Sequence, residues 1–250
     1  MSEPLIWKDG FVPGSVPDEP PLAADSWLVQ EGRARGLDRH RARFAGACGT
    51  DVSAFWTAVL GRLPATGEWF PRVELADTDP PVLALRLRPA PPRGETIGVW
   101  VPDTPDPRRH PRRKGPDLDV LGDLRAEARR HGADEALLVT PDGIVLEGAT
   151  TSLVWWEEDR LCFPEPDLPV LPSVTAGLIR DEALTRGVPV AHGRPRLPDL
   201  AGRETWLVNA LHGIRPVTAW AGTPFRPGPP HRAAHWRRWW DGLAAPWEET

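Results

Sequence analysis

The stretch ADEALLVTPDGIVLEGATTSLVWW, residues 133–156, decides the fold. Ala136–Thr140 is short, apolar and β-prone, and Pro141-Asp142-Gly143 is turn chemistry. Ile144–Leu146 then reads as the return strand. Leu153–Trp156 and Arg160–Phe163 form another pair around Glu157-Glu158-Asp159. Between the two pairs a strand delivers Glu147, followed by Gly148-Ala149-Thr150-Thr151-Ser152. A carboxylate at the end of a buried strand is costly unless a cationic or protonated group faces it.

Reading outward, Asp117–His131 is a helix, with Leu118, Leu121 and Leu124 on one face, Arg125, Arg129 and Arg130 near its end, and Gly132 as its stop. Thr175–Arg186 is a second helix, closed by Gly187. Its N-terminal amides, near Gly177, Leu178 and Ile179, would make an anion seat. Val188–His192 and Thr205–Val208 are strands, and Asn209-Ala210-Leu211 follows with small and polar groups able to close the same seat. His231–Leu243 is a Trp- and Arg-rich helix expected to pack on the outside. Toward the N-terminus, residues 5–12 read as a hairpin around Asp9-Gly10, and residues 22–32 carry a strand. Helices are expected over Leu37–Cys48 and Val52–Leu63, and strands over Trp69–Leu75, Val82–Arg88 and Thr96–Val101. The four prolines among charges at 102–113 read as an extended, solvated linker. The expected organisation is a small N-terminal α/β domain (1–105), a Pro/Arg-rich linker (106–113) and a larger domain (114–250).

Two of the 30 basic residues are lysine, Lys8 and Lys114. Lysine, unlike arginine, can lose its proton and act as an amine nucleophile or base. Lys8 fits a solvated turn. Lys114, in Arg112-Arg113-Lys114-Gly115-Pro116-Asp117, taken alone is equally a basic surface run. The downstream carboxylate and anion seat favour the chemical amine.

Composition narrows the rest. The 250 residues, 40% hydrophobic, suffice for a real core. A net charge of −5 with arginines interleaved among acids argues against nucleic-acid binding. Cys48 and Cys162 are isolated, as in a reducing compartment. No apolar run approaches a membrane span, and the first residues lack a signal peptide's charged start and apolar stretch, so a cytoplasmic location is expected. No tyrosine is present to serve as acid or base. His231 and His235 share a helical spacing, but no third ligand is evident and no metal site is expected.

An amine, a buried carboxylate and a helix N-terminus are the protein's part of a pyridoxal phosphate site. In their order and spacing, Lys114, "ADEALLVTPDGIVLEGATTSLVWW", "LPSVTAGLIRDEAL" and "WLVNALHGIRPV" resemble the class IV aminotransferase family, strongly over residues 114–220. The resemblance implies an α/β (α+β) two-domain fold type IV enzyme: a small mixed-sheet domain and a larger domain with a barrel-like sheet. It implies Lys114 as the Schiff-base lysine and Glu147 as the partner of the pyridine nitrogen. Gly177, Leu178 and Ile179 match the phosphate loop, and Asn209, Ala210 and Leu211 the second phosphate segment. "LDRHRARF" is similar to the family's His-x-x-Arg helix, making Arg43 the phosphate arginine, with Arg41 as fallback. Thr151, Ser152, His212 and Arg215 are candidates for the substrate side. His212 lines a pocket or satisfies loop carbonyls, and Arg215 grips a carboxylate or ends a strand.

The family's Tyr-Gly-Asp-type segment corresponds to LAADSWLVQEG (22–32), which has neither Tyr nor, before Gly32, glycine. "NALHGIRPV" looks more like the lyase branch. The resemblance therefore implies an aminodeoxychorismate lyase-like enzyme that eliminates pyruvate to leave 4-aminobenzoate, working as a homodimer on a small amino acid or amino-chorismate type substrate. A transaminase passing an amino group to a 2-oxo acid is the alternative. An inactive scaffold member is the alternative of another class.

Overall fold

The computed structural model describes residues 3–247. Its contacts form two units, Met1–Pro92 with Arg113–Asp119 and Gly242–Thr250, and Arg93–Arg112 with Val120–Asp241.

The first unit contains β1 (Leu5–Trp7), β2 (Phe11–Pro13), β3 (Ala23–Ser26), β4 (Val29–Gln30), α1 (Leu37–Cys48), α2 (Ser53–Leu60), β5 (Glu68–Trp69), β6 (Arg72–Ala76) and β7 (Val82–Arg86). Five strands make an antiparallel sheet in the order β2-β1-β7-β6-β3, and β4 pairs with β5 separately. The expected hairpin is present. It turns at Asp9, which adopts a φ of 51°, and registers Trp7 opposite Phe11. Phe44 of α1 and Phe55 and Val59 of α2 pack with Trp27, Val73 and Leu85, all buried. Each such side chain contributes roughly 1.5–3 kcal/mol of burial free energy.

Arg113–Asp119 counts with this unit, although it was expected to open the larger domain. Lys114 O accepts a 2.7 Å hydrogen bond from Ala24 N of β3. Gly115 makes the approach possible. It has a φ of 139°, and a Cβ there would stand 2.8 Å from both Ala23 Cα and Pro21 O, so only glycine fits.

The second unit comprises β8 (Ile97–Trp100), α3 (Leu118–Arg130), β9 (Glu135–Val139), β10 (Val145–Gly148), β11 (Thr151–Glu157), β12 (Arg160–Pro164), α4 (Val174–Thr185), β13 (Val190–Gly193), β14 (Thr205–Asn209), β15 (Gly213–Ala221) and α5 (Ala233–Gly242). Its sheet runs β10-β9-β8-β15-β14-β11-β12-β13, and pairing of β10 with β11 closes six strands into a barrel. Closure pairs β10, which would otherwise be an edge, while β12 and β13 extend from β11 and leave β13 as an edge strand. One alternating set of side chains from these strands, including Ile97, Val99, Leu137, Val145, Leu153, Leu207 and Val217, clusters as the barrel core.

Two expectations need correction. Residues 96–101 were grouped with the N-terminal sheet, but β8 pairs in parallel with β9 and β15 and belongs to the barrel. The nine-residue β15 was not anticipated, because Pro216 argues against a central strand. Pro216 sits opposite Trp206 of β14, and pairing to β8 begins only at Val217, so its missing N–H disrupts little. On α5, Trp236 and Trp240 are buried, and Trp236 meets Trp156 and Trp206. No helix among the described residues is long and apolar enough to cross a membrane.

Candidate active site

In the first unit, polar chemistry gathers on Asp25. It is fully buried at the centre of β3. Arg43, one α1 turn beyond His40, donates Nε to Asp25 Oδ2 at 2.9 Å and Nη2 to Oδ1 at 2.7 Å. His40 Nδ1 lies 2.9 Å from Oδ1 and Lys114 Nζ 3.8 Å from it. Burial alone would raise the Asp25 pKa. Arg43, His40 and Lys114 instead hold the carboxyl well below the usual carboxylate range. The ionised Asp25 accepts, so Nδ1 of His40 carries the proton. Burial keeps this imidazole below its ordinary value despite the adjoining carboxylate.

Lys114 keeps a quarter of its side chain open. Burial, reinforced by Arg43, Arg88 and Arg72, brings its pKa down to about 8, against the pull of Asp25. Lys114 and Arg43, expected to share one site, thus meet on a common carboxylate. Arg41, the fallback, points its Nη2 to Ser53 Oγ on the exposed side.

In the second unit Glu147 ends β10 opposite Ser152, and Ala149-Thr150 form the two-residue turn into β11. Glu147 is 3% exposed. Arg108 Nη1 and Leu171 N both donate to its Oε1 at 2.8 Å. Burial nevertheless pushes its pKa up to about 7. Arg108 also grips Asp106 through Nε and Nη2, and its Nη2 reaches Pro169 O. The Pro-rich stretch was read as solvated, and most of it is exposed, yet the side chain of Arg108 is 5% exposed. A buried carboxylate calls for a cation, and that rule was legible. Which arginine answers it was not.

The anion seat shifts by a turn. Gly177, Leu178 and Ile179 were placed at the helix start, but α4 opens at Val174 with Ser173 as its cap. Ala176 N donates to Ser173 Oγ, and Gly177 N to Ser173 O. The amides with no carbonyl a turn earlier are therefore those of Val174 and Thr175.

Asn209 shapes the turn after β14. Its Oδ1 accepts from Leu211 N and His212 N, and its Nδ2 donates to Thr150 O. The amides of Leu211, in the expected second phosphate segment, and of its neighbour His212 are therefore engaged within the turn. His212 Nδ1 accepts from Gly94 N, which places its proton on Nε2, and burial lowers its pKa to about 4. Arg215 is buried with its Nε unpartnered, and burial lowers it to about 10. Thr151 Oγ1 and the Thr150 N and Oγ1 turn to Glu135, a fully buried carboxyl whose pKa burial raises. Glu135 and Asp25 are the site carboxylates that sequence reading missed. Each lies in a stretch already quoted, but only the pairing partners reveal its role. His235 Nε2 meets Arg186 Nη1 at 2.6 Å.

Comparison with known proteins follows this geometry. The sequence profile described as Amino-transferase class IV matches residues 61–220. The chain resembles a fold IV-transaminase from Curtobacterium pusillum (TM-score 0.79, 21% identity, 92% of this chain and 91% of that one). It also resembles the branched-chain amino acid aminotransferase of Escherichia coli (0.79, 18%, 97% and 94%). A third similar structure, designated a 4-amino-4-deoxychorismate lyase, comes from Legionella pneumophila (0.75, 15%, 90% and 95%). At these identities the likeness establishes the fold. No curated protein sequence matches the chain.

Proposed function

This chain belongs to the class IV aminotransferase family, and from that premise we propose that it is a pyridoxal 5'-phosphate-dependent lyase of the aminodeoxychorismate type, releasing pyruvate and leaving 4-aminobenzoate. The observation that carries the reading is Lys114, a partly open amine 3.8 Å from Asp25 among three arginines, which with burial hold it below the ordinary lysine value.

The donor set suits the cofactor. In the second unit the helix-start amides of Val174 and Thr175 are receptive to a phosphate, and in the first unit Arg43 offers a guanidinium of the kind that binds one. Glu147, near pKa 7, can share a proton with a ring nitrogen. Bound pyridoxal phosphate supplies an aldehyde that captures amines and a ring that withdraws electrons from the captured carbon. Lys114 then acts as base on the α-proton, since a free amine near its pKa is suited to that transfer. Arg108 holds Glu147 in place. On the substrate side, Arg215, unpartnered at Nε, suits a carboxylate, and His212 and Ser152 are further candidates. Thr151 serves the Glu135 network. The absence of tyrosine and the Asn-Ala-Leu segment favour elimination over amino transfer. A cytoplasmic homodimer accompanies this reading.

Purified protein given pyridoxal phosphate should turn yellow, and borohydride should bleach it and leave the added mass on the Lys114 peptide. Aminodeoxychorismate should then yield pyruvate. A colourless protein overturns the cofactor assignment. Amino transfer to 2-oxoglutarate without pyruvate release would make the enzyme a transaminase.

A further inference from the structure

Asp25 has no role in the reaction outlined above, yet it is the most heavily engaged acid of the first unit. It is completely buried, and such a carboxylate is retained only where its partners compensate the loss of water. Three side chains do so from two places in the chain: Arg43 with two hydrogen bonds and His40 with one, both from α1, and Lys114 at 3.8 Å from the segment bound to β3. The two α1 residues lie three apart, so they present to one face of the helix. Gly115, which admits no side chain, fixes the backbone of Lys114 against Ala23, two residues before Asp25 on the same strand. The four groups therefore form one rigid ionic cluster.

We propose that Asp25 is a positioning residue that clamps Arg43 and Lys114 to a common point, orienting the guanidinium and holding the amine before any cofactor arrives. The clamp rests on the proposed function for its purpose. Its existence is independent of it. In this scheme Asp25 exchanges no proton with the substrate; its contacts are with Arg43, His40 and Lys114. It acts by fixing Arg43 and Lys114.

The charged groups around Lys114 are Asp25 on β3, Arg43 on α1, Arg72 on β6 and Arg88 just past β7. Only Asp25 favours the ammonium, and the three arginines and burial oppose it. Deleting the carboxylate's charge must therefore lower the pH at which Lys114 becomes a free amine.

The chain supplies its own reference, because its one other lysine, Lys8, is exposed in the β1–β2 turn. Full-length protein is treated with hydroxylamine and dialysed to free the amine. It is then pulse-labelled with acetic anhydride across a pH series, and the peptides bearing Lys8 and Lys114 are quantified by mass spectrometry. For Asp25→Asn the Lys114 midpoint should fall by about one unit or more while that of Lys8 stays put. Asp25→Glu, which keeps the charge, should restore most of the difference. If Asp25→Asn does not fold, Arg43→Gln tests the cluster from the other side and should raise the Lys114 midpoint. A midpoint that moves by less than about a third of a unit in the folded variant overturns the clamp. None of these readings needs bound cofactor, so failure of the clamp and failure of the proposed enzyme activity are told apart.

Discussion

Asp25 and Glu147 are both carboxylates on β-strands, both almost completely removed from water, and they are driven in opposite directions. Asp25 lies well below the usual range because Arg43, His40 and Lys114 converge on it. Glu147 rises to about 7 because one arginine and one amide do not offset its burial. Desolvation is similar at the two sites, and the number of cations aimed at each decides the sign. In the first unit the result is a fixed anion that organises cations. In the second it is a carboxyl able to exchange a proton near neutrality.

The largest expected effect breaks the pairing of Lys114 with Asp25. Lys114→Arg keeps a positive charge beside the carboxylate, so the thermal midpoint should change little. Turnover should fall by at least about 10³-fold, because arginine cannot act as a free amine. Steady-state kinetics on the purified variant check this, and a loss under about tenfold would remove Lys114 from the chemistry.

Arg108→Met next strips Glu147 of its cation. Urea unfolding at pH 8 should show a loss of about 3 kcal/mol, shrinking near pH 5 where Glu147 is neutral. A loss equal at both values would mean that Asp106, not Glu147, is the important partner of Arg108.

Glu147→Gln sharpens the contrast through pH. A carboxyl raised on folding favours the fold below its unfolded value and weakens it as pH climbs toward the folded one. Wild-type stability should therefore decline between about pH 4.5 and 7, a rise that corresponds to roughly 3 kcal/mol. The glutamine variant should be flatter over that window. Parallel stability curves for the two proteins would contradict the raised pKa.

Gly115→Ala loosens the first-unit cluster through the backbone, at a cost of about 2 kcal/mol, seen as a lower urea midpoint. The smallest effect is expected for Arg41→Ala, within about 0.5 kcal/mol of wild type by the same measurement and with cofactor retention unchanged. Arg43→Gln should weaken that retention, and the reverse ranking would exchange the two arginines.

Much of the molecule was legible. The 133–156 stretch announced two hairpin-like pairs and placed Glu147 at a strand end. The His-x-x-Arg spacing drew attention to Arg43 and lysine scarcity to Lys114, two residues that both contact Asp25. What escaped reading has a common cause. β15 was hidden by Pro216, because its tolerance depends on where β8 begins to pair. Arg108 was hidden in a run that looked solvated, because its burial depends on Glu147. The unpaired amides at the start of α4 belong to Val174 and Thr175, not to Gly177 and beyond, because the capping bond to Ser173 and the bond of Gly177 to Ser173 O are details of the folded backbone.

Alternation and turn residues are local properties that located most of the strands and helices, the rarity of lysine pointed to one amine, and the order of four motifs carried the resemblance to the family. Sheet order, the closure of the barrel and the partners of each buried charge join residues far apart in the chain, as Arg108 joins Glu147. A charge in water has a nearly constant pKa wherever it lies in the sequence. Inside the fold its value follows from which other charges come within a few ångströms, and tertiary structure alone decides that.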